Sequence, residues 1–248
     1  MSRTFLRQAC LAAACLLLLP APRGAAAVLL RWDFEGGSPF HDLKIEGEPP
    51  VCVPDPLNPA NQVMRSVLRT DSARSERSEV RWDSIHLGEE RWVGFKILVP
   101  EPSARSFLCL FQLGPIKFRG DERSTGYFQV WQSNGTQWTL RGFLERFGRK
   151  EVRLGCGPIP MGRWERWIAH LKVTDDETGL LEFWRGDTKV FEQRGPNAKR
   201  GEYALPLKWG IYIGIGSRLK QNATVYFDDV ILASETTTFG EMQRLLGP

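Results

Sequence analysis

The feature that most constrains the fold is a series of short apolar segments, rich in β-branched and aromatic residues, that recur between residues 28 and 232. Residues 92–99, 107–113 and 225–232 are examples, and Gly, Pro, Asn or Asp separates such segments along the chain. Segments of this composition and length favour strands. Gly186-Asp187, between two of them, predicts a tight hairpin turn.

Helical character is confined to the tail, residues 236–246, where Thr238 is a candidate N-cap and Glu241 follows three residues later. Met242, Leu245 and Leu246 share one side of that helix. Many antiparallel strands and one short helix predict an all-β fold of two packed antiparallel sheets, a sandwich or jelly roll. The chain carries no linker-like segment, so residues 28–248 are expected to form a single domain.

The first 27 residues have the order of a secretory signal peptide. Arg3 and Arg7 precede the apolar run 11–19, and the small residues 24–27 offer a cleavage site after Ala27. The apolar run is too short to span a bilayer. We therefore expect a secreted or periplasmic protein that is not membrane-bound after cleavage.

Loss of that leader would remove three arginines and no acids, so the net charge would fall from +4 to +1. A nearly neutral chain gives no support for nucleic-acid or membrane-surface binding. Three cysteines would remain, Cys52, Cys109 and Cys156. At most one disulfide can form among them, and the sequence does not select the pair. We expect a monomer.

The run 208–215 alternates two kinds of side chain. Trp209, Ile211 and Ile213 would share an apolar face directed at the core, whereas Lys208 and Tyr212 would share the other face with glycines between them. Glycine inside a strand often marks the close approach of another chain. This face is either a surface for an extended ligand or an ordinary solvated sheet face.

A second alternating run places Arg77, Glu79 and Arg81 on one strand face and Val80 and Trp82 on the other. A carboxylate between two guanidinium groups orients them and leaves donors for an anionic ligand. The alternative is a surface charge ladder that satisfies itself.

Two further strands carry candidate polar groups. Gln112 is expected to share a face with Leu108 and Leu110 and to offer its amide to a carboxylate, or else to cap a strand end. Tyr127 and Trp131, accompanied by Gln129, would stack on sugar rings if they are exposed; otherwise they belong to the core.

The ordered set of Arg77-Ser78-Glu79-Val80-Arg81, Gln112 and the Lys208-x-Gly210-x-Tyr212 unit resembles the jelly-roll polysaccharide lyases, which include heparin lyase I-like, glucuronan lyase-like and alginate lyase-like enzymes. The strand and hairpin layout of residues 162–195 is also similar, and residues 226–232 are typical of concanavalin-like sandwiches in general. The resemblance implies a concanavalin-like β-jelly roll. It also implies cleavage of a uronate-containing acidic polysaccharide by β-elimination.

By matching position, the resemblance implies that Arg77 and Gln112 bind the substrate carboxylate and that Tyr212 acts as base, acid or both. Lys208 would stabilise the phenolate or bind a second anionic group. Glu79, Arg81, Gln129 and Trp131 would be substrate-binding neighbours. Many family members have a histidine where this chain has Gly114.

That departure leaves two possibilities open: Tyr212 serves both proton transfers, or the protein binds glycans without cleaving them. A structural cell-envelope protein is a third.

The chain lacks the alternating carboxylates of a laminarinase-like hydrolase. No cofactor is required. Glu35 with Asp228 or Asp229 is either the site of a structural Ca²⁺, since hard oxygen ligands suit that ion, or a set of solvated acids at strand ends.

Overall fold

The computed structural model describes residues 27–36, 40, 43–71, 76–101, 106–114, 128–143, 151–197, 204–213 and 219–248. The expected leader (apart from Ala27), His41, Tyr127 and Gly214 lie outside these ranges. Within them no helix has the length and apolar character needed to cross a bilayer. Cys52, Cys109 and Cys156 are all free thiols.

Fifteen strands and one helix follow one another along these ranges. They are β1 (Val28–Trp32), β2 (Lys44–Gly47), β3 (Val51–Pro54), β4 (Gln62–Leu68), β5 (Arg77–His86), β6 (Glu90–Leu98), β7 (Leu108–Leu113), β8 (Phe128–Ser133), β9 (Gln137–Phe143), β10 (Glu151–Pro158), β11 (Trp164–Lys172), β12 (Leu180–Arg185), β13 (Thr188–Arg194), β14 (Ala204–Tyr212), β15 (Ala223–Ser234) and α1 (Phe239–Leu246).

The strands form two sheets in which every described pairing is antiparallel. One sheet has the order β13-β12-β11-β6-β15-β4-β3, with β1 also paired to β15, and the other has the order β10-β9-β8-β7-β14-β5-β2. Chain neighbours such as β12 and β13 form hairpins, and Gly186 takes φ 56° in the turn predicted there. The predicted pair of antiparallel sheets is confirmed.

The core lies between the two sheets, where each strand directs alternate apolar side chains inward. Phe95 on β6 stacks on Phe111 on β7 with ring centroids 4.5 Å apart, and Trp32 on β1 lies 5.1 Å from Trp209 on β14. These contacts join opposite sheets, as expected of a sandwich. The side chains that point away from this core on the seven-stranded sheet are the ones available for a site.

Helix α1 covers part of the outer face of the eight-stranded sheet. Met242 and Leu246 are buried there, packed over Gly94, where a Cβ atom would come within 2.7 Å of the Met242 methyl group. Thr238 and Glu241 form the predicted capping box, in which each side chain accepts a hydrogen bond from the other residue's backbone N–H. The predicted tail helix and its N-cap are confirmed.

Replacement of Thr238 by Ala should lower the free energy of unfolding by about 1 kcal/mol, because the N-cap acceptor is lost. Chemical denaturation would measure the change. Thr238→Ser keeps the hydroxyl and should remain close to the wild type. Equal stability of the Ala and Ser variants would contradict the assigned role of the cap.

Candidate active site

Strand β14 is an interior strand of the seven-stranded sheet, between β5 and β7. Trp209 and Ile211 are fully buried in the core, whereas Lys208 and Tyr212 are half-buried on the opposite face. The predicted alternation is therefore confirmed for the described part of the run. We call this second surface, which carries Lys208 and Tyr212, the polar face.

Gly210 lies between these two side chains, and the close approach of strand β5 explains why this position is a glycine. It takes φ +136°, and a Cβ atom would lie 2.2 Å from the carbonyl oxygen of Ser78 and 2.7 Å from the Cα atom of Glu79. A side chain at this position would collide with the backbone of β5. The close approach predicted from this glycine is therefore one between β14 and β5.

Strand β5 carries its alternating charges on the same polar face. The register places Arg77 opposite Tyr212, Glu79 opposite Gly210 and Arg81 opposite Lys208. Residues directly opposite in an antiparallel pair share a face and are close neighbours.

The side chains of β5 that were predicted to face the core also do so. Val80 is fully buried in the core between the sheets, and Trp82 packs against that core. The structure thus brings together the charged run of β5 and the polar residues of β14.

Strand β7 contains an irregularity that changes its expected pattern. Its pairing with β8 shifts between Cys109 and Phe111, so that Cys109 lies opposite Trp131 and Gln112 lies opposite Gln129. The extra residue, Leu110, faces the core together with Leu108. The prediction that Gln112 shares a face with Leu108 and Leu110 is wrong, because the bulge rotates Gln112 onto the polar face.

Hydrogen bonds connect these residues into one network across the sheet. The indole N–H of Trp131 donates to Gln129 Oε1 at 2.7 Å, and Gln129 Nε2 donates to Gln112 Oε1 at 3.0 Å. Gln112 Nε2 then donates to Glu79 Oε1 at 2.5 Å. Because an indole can only donate, this order fixes the orientation of both amides and turns the Gln112 nitrogen towards Glu79.

Gln129 and Trp131 are thus buried supports of that orientation. Only 5% of Trp131 is exposed, and the guanidinium of Arg141 lies 4.5 Å above its ring. Of the two alternatives for Trp131, the exposed ring is therefore excluded. Tyr127, its expected companion, lies outside the described residues.

Glu79 is fully buried. Its carboxylate accepts a hydrogen bond from Arg77 as well as from Gln112, with 3.2 Å between Arg77 Nη1 and Glu79 Oε2. Burial raises the pKa of Glu79 to about 7, against the opposing effects of Arg77, of the Gln112 hydrogen bond and of Lys208. A carboxyl group of this kind changes its charge within the neutral pH range.

Glu46 on the edge strand β2 is the site residue that the sequence did not indicate. Its carboxylate lies 2.8 Å from Lys208 Nζ, 2.9 Å from Arg77 Nη1 and 3.4 Å from Arg81 Nη1. Burial opposes its ionisation, but the Lys208 hydrogen bond and the charges of Lys208, Arg77 and Arg81 hold the pKa of Glu46 below its ordinary value. The strand has only four residues, and the pairing partner of Glu46, Glu79, lies far along the chain, so no local pattern identifies it.

The phenol ring of Tyr212 lies beneath a cation. The Arg77 guanidinium is 4.1 Å from the centroid of the Tyr212 ring, a geometry in which cation and ring attract. Arg77 therefore connects the buried Glu79, the edge residue Glu46 and the Tyr212 ring.

Gly114 occupies the position where the family resemblance implies a histidine. A Cβ atom there would meet only Pro206, at 3.9 Å, so the backbone leaves room for a side chain. His170 lies on the other sheet, between Glu90 and Glu182. His86 pairs opposite Ala204, eight residues along β14 from Tyr212 and hence about 27 Å away. Neither of these two histidines replaces the missing imidazole.

The carboxylates expected to bind calcium are occupied by protein donors. Asp228 accepts from Asn61 Nδ2 at 3.2 Å, and Glu35 accepts from the backbone N–H of Gln62 at 3.0 Å. Burial and the charge of Asp229 raise the pKa of Asp228 to about 6. No group of three or more His, Cys, Asp or Glu side chains in the described ranges could hold a metal ion. The calcium site stays a prediction.

The model of the polysaccharide lyase family matches residues 54–231, and the chain therefore belongs to this family. This family is the expected enzyme class, that of the polysaccharide lyases. The positions of Arg77, Gln112, Lys208 and Tyr212 fall within the matched range. No curated protein matches the chain.

Solved structures with the same fold include both lyases and a binding domain. An endo-β-1,4-glucuronan lyase from the fungus Trichoderma reesei is 16% identical with a TM-score of 0.67, over 89% of this chain and 100% of that one. An alginate lyase from Chlorella virus is 10% identical with a TM-score of 0.57, over 84% and 99%. The binding domain of botulinum neurotoxin DC is 8% identical with a TM-score of 0.57, over 91% and 52%. These likenesses confirm the predicted jelly-roll sandwich.

Replacement of Glu79 by Gln should change the pH dependence of stability. A carboxyl group whose pKa is about 7 when folded and 4.5 when unfolded binds its proton more tightly in the fold. Its contribution to stability is full below pH 4.5 and is lost as the pH rises through 7. Between pH 4 and pH 8, the wild type should therefore lose on the order of 3 kcal/mol relative to Glu79→Gln.

Denaturation curves for both proteins at several pH values would measure this difference. Glu177→Gln, in an exposed turn, is the matched control and should run parallel to the wild type. Parallel pH profiles for the wild type and Glu79→Gln would show that Glu79 does not titrate in this range.

Proposed function

We propose that this polysaccharide lyase cleaves a uronate-containing acidic polysaccharide by β-elimination on the polar face. The observation that carries the proposal is the position of Arg77, whose guanidinium lies over the Tyr212 ring and shares the Glu46 carboxylate with Lys208. A guanidinium and a phenol are thereby adjacent, and Glu46 joins the ammonium group of Lys208 to that guanidinium on the same sheet face. The named substrates of the two lyases of similar fold, glucuronan and alginate, favour the same substrate class.

In this reaction Arg77 neutralises the carboxylate attached to C5 of the uronate, because a guanidinium pairs with a carboxylate through two parallel hydrogen bonds. Gln112 has two amide N–H groups, of which Glu79 takes one. The second would assist Arg77. Neutralisation lowers the barrier to removal of the C5 proton.

Tyr212 transfers the protons. Its phenolate takes the proton from C5, the electron pair forms a C4–C5 double bond, and the C4–O bond breaks. The departing glycosidic oxygen then takes a proton from the phenol. In this proposal one residue serves both steps, which requires base and leaving group on the same side of the sugar. The adjacent charge of Arg77 favours the phenolate.

Replacement of Tyr212 by Phe should remove the proton-transfer group and leave the ring stacked under Arg77. The formation of unsaturated uronate ends from glucuronan or alginate, followed by ultraviolet absorbance, should fall by at least about a hundredfold. Tyr226→Phe is the matched control, because Tyr226 lies on β15 in the other sheet. Full activity of Tyr212→Phe would overturn the proposed role.

The alternative is a non-catalytic, lectin-like protein, and Gly114 is the observation that favours it. Retention of the wild type by an acidic polysaccharide in an affinity gel, without unsaturated product, would support that alternative. Export to the cell exterior or periplasm, and the monomeric state, stay predictions.

A further inference from the structure

Glu46 occupies the centre of the cationic cluster that the proposed reaction requires. Its two carboxylate oxygens lie within 3.4 Å of Arg77, Arg81 and Lys208. These are the cations of β5 and β14 that face the candidate substrate position. An uronate carboxylate that approached Arg77 would meet an anion already in contact with all three cations.

The two carboxylates of the site differ in their surroundings. Glu79 is fully buried beneath Arg77 and Gln112, whereas the Glu46 side chain is 23% exposed and lies on β2, the last strand of its sheet. The register places Glu46 directly opposite Glu79. Like charges in such positions repel, and Arg77 contacts both. Glu79 thus supports the cluster from within, and Glu46 reaches it from the solvent-exposed edge.

The chemistry of Glu46 matches that of the ligand. It is a carboxylate held by two guanidinium groups and an ammonium group, and the same donors would recognise a uronate. Its lowered pKa keeps it ionised at neutral pH. Glu46 lies on an edge strand, outside the buried network. An anion that binds the three cations more tightly can therefore take over the contacts of Glu46 without leaving a buried charge unpaired.

We propose that Glu46 is an internal competitor of the substrate, whose carboxylate holds Arg77, Arg81 and Lys208 until a polyuronate chain replaces it. This inference rests on the proposed function and names a residue that sets its specificity. A single uronate offers one carboxylate and exchanges one contact for another. A chain of uronates adds contacts beyond those it displaces, so the competition favours polyuronates over short or singly charged anions.

Replacement of Glu46 by Gln keeps the shape of the side chain and removes the competing charge. Because the variant no longer offers a charged acceptor to the three cations, a uronate tetrasaccharide should bind to it about tenfold more tightly. The dissociation constants can be measured by calorimetry in a Tyr212→Phe background, which prevents turnover.

Glu192→Gln is the matched control, since it removes the same charge from an exposed position on β13 of the other sheet. It should leave the dissociation constant unchanged. Glu46→Asp keeps the charge but shortens its reach, and should bind with an affinity between those of the wild type and Glu46→Gln. If Glu46→Gln fails to fold, this variant decides the question.

Unchanged or weaker binding by the Glu46 variants would overturn the inference, because Glu46 would then only position the cations. The lyase proposal is tested separately by product formation in the otherwise unaltered enzyme. Cleavage by the wild type with no gain in Glu46→Gln affinity refutes the competitor alone. A gain in affinity without product from the wild type supports the competitor and refutes the lyase reaction.

Discussion

The polar face depends on the burial of one carboxyl group. Glu79 has no access to water, and a buried polar group of this kind is costly unless hydrogen bonds satisfy it. Gln112 and Arg77 provide those bonds. Their donation fixes the amide of Gln112 and the guanidinium of Arg77, the two groups that the proposed reaction requires beside Tyr212. The strand registers of β5, β7 and β14 have to agree for this arrangement to exist.

From Glu79 the network spreads in two directions with different properties. Towards β8 it is buried and neutral, ending in the amide of Gln129 and the indole of Trp131, and it serves orientation. Towards β2 it is half-exposed and charged, ending at Glu46, and it determines the charge that a ligand meets. A sheet suits this division, because strands about 4.8 Å apart bring residues distant in sequence into direct contact.

The sequence predicted the parts of this site that follow from the alternation of a single strand. The faces of β5 and β14, and hence the common side of Arg77, Lys208 and Tyr212, came from the side-chain period of two. The bulge at Leu110 interrupts that period on β7, and no residue type in this strand indicates a bulge. Glu46 could not be found, because its meeting with the cations depends on the pairing of β2 with β5. Gly210 was correctly singled out, but the contact that requires it is with β5.

The most direct test is a crystal structure of Tyr212→Phe with a uronate tetrasaccharide. Our account predicts the sugar on the polar face, with one carboxylate within hydrogen-bond distance of the Arg77 guanidinium and with C5 of that uronate directed at the ring of residue 212. A tetrasaccharide bound to the eight-stranded sheet, or one whose carboxylates all point into solvent away from Arg77, would contradict it.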